Sequence, residues 1–190
     1  MTALRHLPNA LTVLRCLLTL PLAVQLAERH YASALGVFVI AGVTDALDGF
    51  LAKQFHWQSR FGAIADPLAD KLLLLIGFGM LGYIGVLPWW LFWLVLGRDV
   101  IIVGGGLTYH LLFGPYPMQP TLLSKANTLL QILLLTLVLL NLGWSPLPAW
   151  LLQGGLALIS LTTLVSGMDY VWTWGRRCAE QNRLRRRAAK

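Results

Sequence analysis

The chain has 190 residues, of which 57% are hydrophobic and 12% charged, and its formal net charge is +7. Its mean hydropathy is +0.66. Soluble domains carry about 25% charged residues, and a chain this short has too little interior to hide so much apolar surface from water. An ordinary soluble domain is therefore excluded, and an all-α integral membrane protein is expected.

A span needs about 20 mainly apolar residues. Six such segments follow in order: Leu7–Ala27, Ala32–Ala52, Phe61–Tyr83, Pro88–Phe113, Leu122–Leu142 and Leu147–Trp172. Arg5 followed by an apolar run resembles a secretory signal, but the run is as long as a span and no small-residue cleavage site follows it. It is read as the first transmembrane helix. Glu28-Arg29-His30 separates spans one and two, and Lys53 to Arg60 separates spans two and three. Gly82 to Leu87 and Gly143 to Pro146 are short uncharged breaks, and the proline-rich stretch from Gly114 to Pro120 ends the fourth span. Residues 1–175 are expected to form one transmembrane domain, and residues 176–190 a basic tail.

Lysine and arginine set the expected sidedness. Arg5, Lys53, Arg60 and Lys125 mark one side, together with Arg176, Arg177, Arg183, Arg185, Arg186, Arg187 and Lys190 of the tail. The other side carries only Arg29. Six spans with both termini in the cytoplasm fit this bias. The membrane is expected to be a plasma membrane of bacterial inner-membrane type. The tail is read as a contact for anionic headgroups rather than for nucleic acid. Cys16 and Cys178 are read as free thiols. Tryptophans 89, 90, 93, 144, 150, 172 and 174 fall near span ends, as an interfacial aromatic belt does. Gly77, Gly79, Gly82 and Gly85, in and after the third span, and Gly104-Gly105-Gly106 in the fourth read as small-residue packing faces.

Half of the eight acidic residues lie between Asp45 and Asp70, in DALDGFLAKQFHWQSRFGAIADPLAD. Carboxylates near hydrocarbon are costly and mark functional positions. Asp45 and Asp48 are three apart and Asp66 and Asp70 four apart, so each pair shares one face of a helix. An all-carboxylate set selects hard cations, Mg²⁺ or Mn²⁺, over zinc. Four carboxylates can hold two such ions about 4 Å apart, an arrangement suited to phosphoryl transfer. Gly49 and Gly62 would let a substrate approach the backbone. Lys53, one turn beyond Gly49, would offer a point charge to a phosphate. The plainer alternative is that the acids pair with Arg15, Lys71, Arg98 or Lys125 and only stabilise the bundle. A small proton- or cation-coupled transporter is a second alternative, although its acids would be spread over more helices and accompanied by a repeat. A lipid-docking metal protein is a third, and it would not need Gly49 and Gly62.

Asp45, Asp48, Gly49, Ala52, Lys53, Gly62, Asp66 and Asp70 resemble the signature of the CDP-alcohol phosphatidyltransferase family, D-x-x-D-G-x-x-A-R, eight residues, G-x-x-x-D-x-x-x-D. The spacing agrees throughout, and Lys53 stands where the family has arginine. Leu7-Pro8-Asn9-Ala10-Leu11-Thr12 followed by Arg15 is similar to the family's first-helix opening. The resemblance implies transfer of a phosphatidyl group from CDP-diacylglycerol to a glycerol-type alcohol, with release of CMP. It implies that Asp45, Asp48, Asp66 and Asp70 hold Mg²⁺ or Mn²⁺ and that Asp70 is the general base. It also implies that Asp45, Gly49, Lys53 and Gly62 line the CDP moiety, and that the protein is a homodimer. Gly97-Arg98-Asp99-Val100 and Ser124-Lys125-Ala126-Asn127-Thr128 are most similar to the family's cardiolipin synthases, whose acceptor is phosphatidylglycerol. Its phosphatidylglycerophosphate synthases, which use glycerol 3-phosphate, tend to carry a second basic residue where Asn127 stands. Arg98, Lys125 and Asn127 are the acceptor candidates. Pairing of Arg98 with Asp99 is the structural alternative.

Overall fold

The computed structural model describes residues 7–55, 60–113 and 121–188. They form six helices: α1 Leu7–Ala27, α2 Tyr31–Gln54, α3 Arg60–Tyr83, α4 Trp89–Phe113, α5 Leu122–Gly143 and α6 Ala149–Ala188. The first five lie within a few residues of the apolar runs. The last continues well past Trp172, because nothing in the polar, arginine-rich segment breaks a helix. At 40 residues it is about 60 Å long, twice the hydrocarbon thickness of about 30 Å. The backbone is helical across the expected boundary at Gly175 and Arg176.

Five helices contain stretches long and apolar enough to cross a membrane: Ala10–Ala27, Tyr31–Phe50, Trp89–Thr108, Leu122–Gly143 and Ala149–Arg176. The sixth, α3, is different. Asp66, Asp70 and Lys71 occupy its first half, so its uninterrupted apolar run begins only at Leu72. It packs against α1, α4 and α5.

The packing order closes a ring. Each of the pairs α1–α2, α2–α5, α5–α6, α6–α4, α4–α3 and α3–α1 is in contact, and α3 also touches α5 across the middle. Buried side chains divide along the bundle. One half holds a continuous apolar core that includes Leu22, Leu26, Phe38, Phe78, Leu81, Leu91, Leu135 and Ile159. The other half, nearer the start of α1 and the end of α2, buries Thr12, Arg15, Asp48, Arg98, Asp99, Ser124 and Ser166. Large apolar side chains such as Leu20, Ile40, Val103 and Leu161 remain exposed on the outside, which is the surface a bilayer covers.

The turns are closed by backbone geometry. After α3, Val86 N–H donates to Leu81 C=O at 2.9 Å and Gly85 N–H to Gly82 C=O at 3.1 Å. Gly85 has φ of 79°, the left-handed residue this cap requires. The same cap ends α1, where Arg29 occupies that conformation at φ 61° and His30 N–H donates to Gln25 C=O at 2.8 Å.

The glycines of α3 pack within the chain. A Cβ on Gly77 would stand 3.1 Å from Leu135, one on Gly79 3.2 Å from Phe92, and one on Gly82 3.5 Å from Trp89. These glycines are therefore spent on contacts with α5 and α4 within the chain. The tightest contact is at Gly143, where a Cβ would fall 2.5 Å from the backbone nitrogen of Ala32. Backbone cannot rotate away as a side chain can, so the end of α5 must be glycine to meet the start of α2. Gly143→Ala is expected to cost about 1–3 kcal/mol, the usual range for overpacking. Thermal unfolding in detergent would read it, and an unchanged midpoint would contradict the contact.

Candidate active site

Three helices meet at the polar end of the bundle. Thr12 and Arg15 come from the first half of α1, Asp45 and Asp48 from the last part of α2, and Asp66 and Asp70 from the first part of α3. Their helical spacing turns each pair toward one place.

Arg15 stands at the centre, with its side chain 0% exposed. Its Nη1 lies 2.8 Å from Asp45 Oδ1 and 2.5 Å from Asp70 Oδ1. Its Nη2 lies 2.5 Å from Asp48 Oδ2. One guanidinium thus joins both pairs, using the planar fork that a lysine lacks. Asp66 accepts a hydrogen bond from the hydroxyl of Thr12, one turn earlier on α1. Asp48 is nearly sealed, whereas Asp45 and Asp70 are each a little under half exposed. The cluster therefore has a closed floor at Asp48 and an open side at Asp45 and Asp70. Arg15 Nε is buried with no hydrogen-bond partner.

The donor set tests the expectation of a hard cation. All four acids contribute carboxylate oxygens, and three of them already converge on one positive group, which is the chemistry Mg²⁺ and Mn²⁺ require. With Arg15 between them, no three acidic, histidine or cysteine side chains among the described residues stand at metal-sharing distance. The residues fit the ion by type and by convergence, with the guanidinium balancing their charge.

Gly49 is exposed on α2, and a Cβ there would meet nothing within 4 Å. Its backbone is open to a close approach. Lys53 and Gly62 lie on α2 and α3, and their surroundings fall outside the described residues. His56 also lies outside them.

Of the acceptor candidates, Arg98 belongs to a second polar centre, to which Lys125 and Asn127 are not joined among the described residues. Arg98 is buried on α4. Its Nη1 lies 2.6 Å from Asp99 Oδ1, its Nη2 donates to Ser124 Oγ at 2.5 Å and its Nε donates to Ser166 Oγ at 3.3 Å. Asp99 also takes Lys71 Nζ at 2.5 Å. Because Lys71 follows Asp70, α3 carries the two centres side by side. Lys125 is exposed at the start of α5 and has no ion-pair partner among the described residues. Asn127 is 0% exposed, and its Oδ1 accepts from the hydroxyls of Thr162 at 2.8 Å and Thr163 at 3.0 Å. Pairing of Arg98 with Asp99, held as an alternative on sequence alone, is what the geometry shows. Asn127 serves the α5–α6 contact. Ser124 and Ser166 were not singled out from the sequence, since serines in apolar runs carry no distinctive signal.

The fold and this centre define a helical membrane protein with a carboxylate cluster at one end of the bundle. Residues 5–166 match the model of the CDP-alcohol phosphatidyltransferase family, and the chain belongs to that family. It is 36% identical over 155 residues to the CDP-diacylglycerol–glycerol-3-phosphate 3-phosphatidyltransferase of Cereibacter sphaeroides, covering 78% of this chain and 69% of that one. The protein of the same description from Aquifex aeolicus is 32% identical, with 87% and 93% covered. The human cardiolipin synthase (CMP-forming) is 33% identical, with 67% of this chain and 48% of the human one covered. The chain spans about half the length of the cardiolipin synthases from animals that it matches.

Arg15→Leu should destabilise the protein by about 3–5 kcal/mol, since it leaves the buried Asp48 carboxylate uncompensated. The half-exposed Asp45 and Asp70 are screened by solvent and add less. Thermal unfolding of the purified variants checks this. An Arg15→Leu protein as stable as the wild type would show that the guanidinium does not hold the cluster.

Proposed function

We propose that this protein transfers the phosphatidyl group of CDP-diacylglycerol to a glycerol-type alcohol and releases CMP. The observation that carries the reading is the convergence of Asp45, Asp48 and Asp70 on one point, within a motif whose spacing agrees with the family's. The family match supports it. All six helices span the membrane with both termini cytoplasmic, residues 176–190 form a basic tail, and the aspartate end faces the cytoplasm, where a nucleotide headgroup and a lipid tail are both within reach.

Asp45, Asp48, Asp66 and Asp70 would hold two Mg²⁺ or Mn²⁺ ions, which when bound neutralise the diphosphate and polarise the bond to be broken. Gly49 leaves room along α2 for the CDP moiety, with Asp45, Lys53 and Gly62 beside it. Asp70 takes the proton of the acceptor hydroxyl. The acceptor oxygen bonds to the phosphorus carrying diacylglycerol, and the phosphoanhydride bond to CMP breaks. Asp70 suits this role because it stands on the open side of the cluster. Positioning and charge compensation do most of the remaining work. The chain acts as a homodimer.

Phosphatidylglycerol is the acceptor favoured over glycerol 3-phosphate. Two features support this. Asn127 stands where the resemblance implies a second basic residue in the enzymes that use a phosphomonoester, which carries nearly two negative charges. The Arg98 centre is already half-neutralised by Asp99. Arg98 and Lys125 would meet the acceptor phosphate, with Asn127 holding α6 behind them.

The direct test supplies purified protein with CDP-diacylglycerol, Mn²⁺ and one acceptor at a time. CMP and cardiolipin should appear with phosphatidylglycerol. Preferential reaction with glycerol 3-phosphate would reassign the acceptor, and absence of CMP with either would overturn the enzyme reading. Asp70→Asn should cut turnover by about 10²- to 10⁴-fold, the span of general-base catalysis, while the protein stays folded.

A further inference from the structure

A large groove lies outside the aspartate centre, between α4 and α6 on the outer surface of the bundle. Its volume is about 620 Å³, within the range of about 300–1,000 Å³ typical of ligand sites. Glycines make it concave: Gly97 on α4, and Gly167 and Gly175 on α6. The walls are otherwise almost wholly apolar. Buried Arg98 closes the inner wall, and the Cβ of a residue at 167 would sit 3.9 Å from its Cγ.

One end of the groove is charged. Arg176 lines it there, with its guanidinium 4.7 Å from the centroid of the Trp172 ring. Arg176 has no carboxylate partner among the residues whose side chains are described. It lies on the last turns of the apolar part of α6, at the end of the bundle that also bears the aspartates. Tryptophan and arginine together are the residues that settle at the headgroup level of a bilayer. Two other grooves sharpen the contrast. The one between α5 and α6, about 300 Å³, is lined by leucines, glycines and Trp150 and has no cation. A third, about 420 Å³, has Asn141 and Gln153 but again no cation.

We propose that the α4–α6 groove is a binding site for an anionic glycerophospholipid. An acyl chain lies along the glycine-lined floor, and the phosphate rests on Arg176 at the mouth. Charge complementarity selects the occupant, because a zwitterionic lipid places a cation beside the same arginine and a second copy of this chain would bring like charge to it. The groove shares Arg98 with the acceptor reading proposed above, but this assignment places the lipid phosphate on Arg176 and does not require CDP-diacylglycerol to be a substrate.

The glycines provide a clean test. A Cβ on Gly97 or on Gly175 would meet nothing within 4 Å, so the side chains of Gly97→Leu and Gly175→Leu can start into the groove they are meant to fill. The protein, reconstituted in phosphatidylcholine nanodiscs, would be photolabelled with phosphatidylglycerol bearing a photoreactive acyl chain, and the labelled peptides mapped. Labelling is expected on α4 and α6, at least fivefold weaker in either leucine variant, and weakened in Arg176→Gln. Photoreactive phosphatidylcholine should label this groove weakly in all forms. Equal labelling of wild type and filled variants would overturn the site. Equal labelling by the two lipids, or a second copy crosslinked across the groove, would overturn the assigned occupant. Unfolding midpoints of the three variants identify any that is misfolded. Arg176→Gln, which removes an exposed charge and its stacking on Trp172, keeps the test decisive if a leucine variant fails to fold.

Discussion

The polar half of this protein depends on one buried guanidinium. Four carboxylates near hydrocarbon would repel one another and drive the helices carrying them apart. Arg15 removes that conflict by sitting between α2 and α3 and touching an acid on each. An uncompensated ion in such a place is worth several kcal/mol, comparable to the whole stability of a small domain. The position of α1 against α2 and α3 follows from this pairing as much as from apolar packing.

A second buried arginine plays the corresponding part on the other side. Arg98 pairs with Asp99 beside it on α4 and ties that helix to α5 through Ser124 and to α6 through Ser166. Lys71 links that group back to α3. The ring of helices is thus stapled twice at its polar end, while the opposite half is closed by leucine and phenylalanine. Three charged residues of α3 are paired inside the bundle, Asp66 with the Thr12 hydroxyl, Asp70 with Arg15 and Lys71 with Asp99, so they do not stand unpaired beside its short apolar run.

Much of this was legible in the sequence. Apolar run length located the helices because hydrocarbon thickness imposes a minimum, and glycine and proline mark their ends. The overrun of α6 was not legible, since arginine, glutamate, glutamine and alanine all favour helix and give no stop signal. The acids stood out because they are rare in such a chain. Their organiser did not, because Arg15 lies far from them in sequence and its role exists only once three helices meet. The one local hint is that Thr12, Arg15 and Thr19 share a helical face in an otherwise apolar span. Arg98 and Asp99 are adjacent, so their pairing could be held as an alternative, but the two serines completing the shell could not. The strict demand for glycine at position 143 is likewise a tertiary fact, set by how closely α5 crosses the start of α2.

Arg15 and a divalent cation answer the same need, positive charge among these carboxylates. Binding of Mn²⁺ to the purified protein, followed by the loss of its free-ion electron paramagnetic resonance signal, therefore tests the central reading most directly. Saturable binding of two ions per chain is expected, weakened at least tenfold in Asp48→Asn and in Asp66→Asn with both variants folded. Binding unchanged in both variants would contradict the assignment of these aspartates as the cation site.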